Sequence, residues 1–186
     1  MKNKQNKKER VLVVFDGSNF YHILKNNKVD IKNTLKYQYR KLSENLAGDR
    51  KLVAVKYYIG VARFDKSISE KSQKIVSSQQ KLFAELQKQK IILVRGYMLK
   101  SDGIFHEKGV DVRIAVDMVV GAYENTFDTV ILISSDTDLI PAVESVTKLK
   151  KEVEYVGLSN RPSFGLIHKV SKTILLGKKD LEKFQS

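Results

Sequence analysis

Apolar residues follow two alternating rhythms along the chain. Val11-Leu12-Val13-Val14-Phe15 and Thr129 to Ile133 are short, nearly unbroken β-branched and apolar runs, the pattern of strands buried on both faces. Lys51 to Val61 and Ile91 to Val94 read as two further strands. Between them, apolar positions recur at helical spacing: Phe20, Ile23 and Leu24; Leu35, Tyr39, Leu42 and Leu46, stopped by Gly48; Ile75, Leu82, Phe83 and Leu86 within Arg63 to Lys90; and Val110, Ile114, Met118 and Ala122. Ile140, Val143 and Val146 give one more such stripe, with Pro141 suited to its first turn. Glu152 to Leu158 alternates apolar and polar as an edge strand would. Gly96 to His106 reads as a loop or hairpin extension, and Asn160 to Ser163 as a turn into a short helix. Ile174, Leu175, Leu176, Leu181 and Phe184 should dock the basic C-terminal segment on the body. Strands alternating with helices predict an α/β fold with a mainly parallel, doubly wound sheet, whose sites gather beyond the carboxyl ends of the strands.

Length and charge sharpen this picture. The 186 residues suffice for one α/β domain with a buried core. Residues 1–10, with Lys2, Lys4, Lys7, Lys8 and Arg10, lack the apolar groups to offset their ordering and read as a basic flexible tail, leaving 11–186 as a single domain. The formal net charge of +13 attracts polyanions and makes nucleic acid the favoured partner class. With no cysteine there is no disulfide, thiolate zinc site or cysteine nucleophile, and any metal must be held by oxygen or imidazole. His22, His106 and His168 have no metal-ligand spacing. No apolar run approaches the roughly twenty residues that span a bilayer, and a cytoplasmic protein is expected.

The chemistry-bearing residues stand at strand ends. The run ending at Ile133 stops at Ser134-Ser135-Asp136-Thr137-Asp138, and the run ending at Phe15 stops at Asp16-Gly17-Ser18-Asn19. Asp136 and Asp138 repel each other in a dry cleft unless a cation, hydrogen bonds or a proton offsets the charge. A divalent metal does so; alternatively Asp138 caps the following helix and Asp136 fixes the turn. Ser18 can cap the first helix, and Asn19 either faces the crevice or serves the turn. On the helix from Val110, Asp117 falls about 60° to one side of the apolar stripe and Asp111 about 60° to the other. Asp111 suits either the helix start or a site, and Asp117 either a site or a structural pair with Lys108, Arg113 or backbone. Tyr57, Tyr58, Arg63, Phe64, Lys66, Lys71 and Lys74 mix rings with cations, as a surface for bases and phosphates does, although core tyrosines and a solvated helix face also explain them. The first turn lacks both glycine-rich phosphate fingerprints, which argues against a dinucleotide or P-loop enzyme.

Val14-Phe15-Asp16-Gly17-Ser18-Asn19, Glu107-Lys108-Gly109-Val110-Asp111-Val112 with Asp117-Met118, and Ser134-Ser135-Asp136-Thr137-Asp138-Leu139-Ile140-Pro141-Ala142 resemble, in order, the three hallmark blocks of the NYN domains, LabA-like members of the PIN-like nuclease superfamily. Ser134-Ser135 departs mildly from the Ser-Gly or Ser-Asn of many relatives. The resemblance implies a three-layer PIN-like fold around a mainly parallel five-stranded sheet of order 3-2-1-4-5. It implies an acidic pocket of Asp16, Asp111, Asp136 and Asp138 binding Mg²⁺ or Mn²⁺, with Asp117 as a further recurrent acid, and Asn19 as the polar residue after the first. The activity expected from it is hydrolysis of RNA phosphodiesters; single-stranded RNA is the expected substrate because flexible strands reach a recessed pocket, with Asn19, Lys108, Arg63 and Ser135 as substrate contacts. An RNA-binding or regulatory protein with a vestigial pocket is the rival expectation. A phosphatase using Asp16 as nucleophile is weaker, since no second aspartate stands two residues on. RNA is the partner expected, without a membrane, and a homodimer is left open.

Overall fold

The computed structural model describes residues 7–26, 28–61, 70–101 and 104–185. Its centre is β1 (Arg10–Asp16), paired in parallel with β2 (Lys51–Val61) on one side and with β5 (Thr129–Ile133) on the other. Beyond β2 lie β3 (Ile92–Ser101) and its antiparallel hairpin partner β4 (Ile104–Lys108); beyond β5 lie β6 (Glu152–Leu158) and β7 (Lys172–Leu176). The seven strands run in the order β4-β3-β2-β1-β5-β6-β7. The six parallel ones therefore follow 3-2-1-4-5-6, and the expected five-stranded order is extended by one strand. That strand, β7, covers Glu152 to Leu158, which is an inner strand and not an edge.

Helices cover both faces. Because β1 alternates, Val11, Val13 and Phe15 meet α1 (Gly17–Lys25), α2 (Tyr39–Ala47), the end of α3 (Glu70–Lys88) and Leu181 of α7 (Lys178–Glu182), whereas Leu12 and Val14 meet α4 (Val110–Tyr123), α5 (Ile140–Lys148) and Leu166 of α6 (Phe164–Ile167). The stripe read from the sequence on α4, Val110, Ile114, Met118 and Ala122, is buried throughout. Gly48 ends α2 at φ 59°, a conformation that an L side chain resists. None of the described helices is long and apolar enough to cross a membrane.

Local expectations shift in three places. Tyr39, not Thr34, begins α2, and the span 34–38 is turn and coil whose Tyr37 packs in the core. Asp16, not Ser18, caps α1, its carboxylate accepting from the Asn19 amide. Arg10 belongs to β1 instead of the tail: its guanidinium grips Asp128 and donates to the Asn125 carbonyl at 2.6 Å.

Charged groups lock the amino-terminal end of the sheet. Arg50, just before β2, forms a bidentate pair with Glu154 of β6 at 2.7 and 3.1 Å, and donates to the Leu46 and Ala47 carbonyls and to Glu9. Glu9 also accepts from the Thr129 hydroxyl. Glu154 is only 6% exposed, and Arg50, with Lys172 at 3.8 Å, offsets its charge. Hydrogen bonding from Arg10 is the main cause holding the Asp128 carboxyl well below the usual carboxylate range.

Two measurements check this end of the sheet. Glu154→Ala, which removes the bidentate partner of Arg50 and leaves it Glu9 and two carbonyls, is expected to lower stability in urea unfolding by about 2 kcal/mol. For Asp128 the folded pKa lies below the unfolded value of about 3.9, so its contribution is full above that pH and fades as pH falls below it. The stability gap between wild type and Arg10→Ala should therefore shrink on acidification below about pH 4.

Candidate active site

Strand order reverses between β2-β1 and β5-β6, and the crevice at that switch opens at the carboxyl ends of β1 and β5. Phe15 pairs with Ile133, so Asp16 and Ser134 leave the sheet side by side. A buried carboxylate requires hydrogen-bond donors. Asp16, 4% exposed, accepts from the Asn19 amide at 3.1 Å through Oδ1 and from the Ser134 hydroxyl at 2.8 Å through Oδ2. The same Ser134 oxygen accepts from the Asp136 amide at 3.1 Å, and Asn19 Oδ1 accepts from the Ser135 amide at 3.1 Å. Two bridges thus join the turns that follow β1 and β5.

Gly17 lets α1 start this close to β2. A Cβ there would stand 2.4 Å from the Tyr58 carbonyl oxygen and 2.5 Å from the Tyr57 ring, and the Tyr57 hydroxyl donates to the Gly17 carbonyl at 3.2 Å. Tyr57 and Tyr58 are both core residues, at 2% and 1% exposure, and neither ring is open to a base.

Asp136 is half-buried and accepts the Asp138 amide at 2.9 Å, which winds Thr137–Leu139 into one 3-10 turn before α5. Asp136 therefore fixes the turn. Asp138 does not cap α5, whose flanking residue is Leu139, and its side chain is exposed while Leu139 fills the core.

The acids of α4 diverge from one another. The helix runs from the carboxyl end of the sheet, where Gly109 follows β4, down to Asn125, which meets Arg10 at the start of β1. Asp111, in the first turn, is exposed near the upper end, as is Lys108 just before it. Asp117 is half-buried lower down: Oδ2 accepts from Tyr58 at 2.9 Å and from Lys56 at 3.2 Å, and Oδ1 pairs with Arg113 at 3.1 Å. These contacts make Asp117 an anchor between α4 and β2. Burial, then the nearby Asp117 charge, raises the Tyr58 hydroxyl above its usual range and keeps it a donor.

Among the described residues, no three acid or histidine side chains stand close enough to hold one ion together. The four-acid cage expected from the sequence is thus not assembled. Packing of the α4 stripe leaves Asp111 outward, and the 3-10 turn leaves Asp138 outward. The structure does bring together Asp16, Asn19, Ser134, Ser135 and Asp136. Arg63, Phe64 and Lys66 lie outside the described residues, and the Lys71 side chain is likewise not described.

Sequence reasoning missed Ser134 as the bridge, because its contact spans 118 residues. It also missed two hollows on either side of α1. A hollow of about 530 Å³ next to the Asn19–Ser135 bridge is lined by His22, Asn26 and Arg161, and one of about 880 Å³ lies on the β2 side. The row Ser18, Tyr21, His22 and Lys25, at helical spacing opposite Phe20, Ile23 and Leu24, was the available signal.

The NYN domain family model matches residues 10–176. A crystal structure of a protein of unknown function from Vibrio parahaemolyticus superposes with a TM-score of 0.71 over 95% of this chain and 98% of that one, at 21% identity, a likeness of fold. No curated protein sequence matches the chain. With Asp16 and Asp136 joined at the switch point and the family match spanning β1 to β7, the chain belongs to the NYN domain family, which has a PIN-like nuclease fold.

Proposed function

We propose that the protein is a metal-dependent ribonuclease of the LabA-like type that hydrolyses phosphodiester bonds in single-stranded RNA in the cytoplasm. The observation that carries this reading is the Ser134 bridge, which sets the buried Asp16 carboxylate beside the Asp136 turn in the family's nuclease fold. The family's members are generally ribonucleases. A net charge of +13 draws RNA towards the domain, so an acidic site there works against a basic background.

The donor set suits a hard cation. Asp16 and Asp136 present only oxygen, and Asp136 Oδ2 has no partner among the described residues. Mg²⁺ or Mn²⁺ held by one or two carboxylates keeps several waters and leaves positions for substrate phosphate, so a pair of acids fits such an ion without a full cage. Asp16 and Asp136 would hold it, with Asp111 and Asp138 as outlying acids. When bound, the ion supplies charge neutralisation at the phosphate and a more acidic water. The chain's own part is positional. Ser134 orients Asp16, the Asp138 amide orients Asp136, and the Asn19–Ser135 bond holds the two turns at a fixed spacing. Lys108, and Arg161 across α1, offer cations to flanking phosphates.

The absence of a three-acid cluster among the described residues favours a second reading, an RNA-binding protein without chemistry. A metal titration separates the two, since a binder retains RNA affinity in EDTA and cleaves at no metal concentration.

With Mn²⁺ present, the purified protein should shorten a labelled single-stranded RNA, and Asp16→Asn or Asp136→Asn should each lower the rate by about a hundredfold or more. Cleavage that persists in both variants, followed on a denaturing gel, would remove the assignment. Ser134→Ala removes only the orienting hydroxyl, and a loss of about ten- to a hundredfold in apparent Mn²⁺ affinity is expected from activity titrations.

A further inference from the structure

The larger hollow lies between α1, the 32–35 segment, the end of β2 and α3, and encloses about 880 Å³, within the range of small-molecule sites. It begins at Gly17 and Ser18, the two residues that follow Asp16, and lies on the β2 side of α1. Its floor and back are apolar: the edges of Tyr39 and Tyr57, with Ile59 and Leu82. Gln79 closes the back wall by donating to the Gly60 carbonyl at 2.9 Å. Its rim is cationic. Lys25, Lys32 and Lys74 line it with His22, and among the described residues no Asp or Glu lines it and none of the three lysines is ion-paired. Lys25 is steered across the opening, its ammonium donating to the Lys32 carbonyl at 3.1 Å.

One aromatic ring on this rim is open to solvent. Tyr21 is 48% exposed, whereas Tyr39 and Tyr57 are both 2% exposed. Tyr21 lies one helical turn past Ser18, and its ring packs edge-on to His22 at 5.9 Å between centroids. Water tolerates a ring on an exposed helix face, but a ring at the mouth of an apolar hollow with lysines around it has a use. Such a ring can stack on a flat ligand whose phosphates the lysines neutralise.

We propose that this hollow is a nucleotide subsite that receives one unpaired base of the RNA, stacked on Tyr21, with its backbone phosphates held by Lys32 and Lys74. The proposal rests on the ribonuclease reading for its substrate class and adds a requirement to it: a nucleotide near the scissile bond must leave any duplex. Paired RNA keeps its bases inside the helix and offers none to the subsite.

The test is binding of a fluorescein-labelled single-stranded ribo-oligomer to the full-length protein in EDTA, followed by anisotropy, so that no cleavage is needed. Tyr21→Ala should raise Kd about tenfold and Tyr21→Phe change it by less than about twofold. Lys74→Ala should lower the slope of log affinity against log salt by about 0.7. In an oligomer with abasic sugars placed one position at a time, one position should weaken wild-type binding about as much as Tyr21→Ala does, and weaken the variant no further. Tyr21→Ala binding as tightly as wild type, or losses that add at every abasic position, would overturn the subsite. Failure of the ribonuclease reading looks different: no cleavage with Mn²⁺, while Tyr21-dependent binding in EDTA persists.

Discussion

A carboxylate taken out of water must be surrounded by donors, and the way Asp16 meets that demand organises the crevice. Ser134 supplies one hydrogen bond from the neighbouring strand and, through the same oxygen, takes the amide of Asp136. The Asn19 side chain repeats the link one residue further on. Because each bridging group is satisfied on both sides, the two turns cannot move apart without exposing a buried polar atom. The acid at the end of β1 is thus a structural tie as well as a candidate ligand, and its cap on α1 sets the direction in which that helix, with Tyr21 and His22, leaves the sheet.

The parallel core was legible because it rests on local rhythm. Val110, Ile114, Met118 and Ala122 report a helix face by spacing alone, and the runs at Val11 and Thr129 report strands buried on both sides. Long-range pairing misled the reading elsewhere. Glu154 made β6 look like a solvent-facing edge, yet it is buried against Arg50, 104 residues away, a partner that no local pattern reveals. The three apolar residues at Ile174 to Leu176 suit a helix or a strand equally, and only the exposed edge of β6 decides for a strand. Wherever an interaction crosses the chain, local sequence names the participants without naming their partners.

The site was half legible for the same reason. Strand-end acids announce a crevice, and Asp16 with Asp136 are found on adjacent strands. Helical angles put Asp111 and Asp117 beside the buried stripe, but side chains at that boundary can turn either way. Asp117 turned towards Lys56 and Tyr58 on β2, and Asp111 turned outward. Lys56, Tyr58 and Arg113 make Asp117 a tie, and the angle on the helix alone does not name them.

The Arg50–Glu154 lock and the Arg10–Asp128 grip lie at the opposite end of the strands from the crevice. One sheet therefore has a foundation and a workbench, separated by the length of its strands. Exposed residues at the upper turns, such as Asp138, can be exchanged without touching the lower clamps, whereas Asp16 and Ser134 are held by their bridge. A fold divided in this way can lose its chemistry and still persist as a scaffold, or regain it, without being rebuilt.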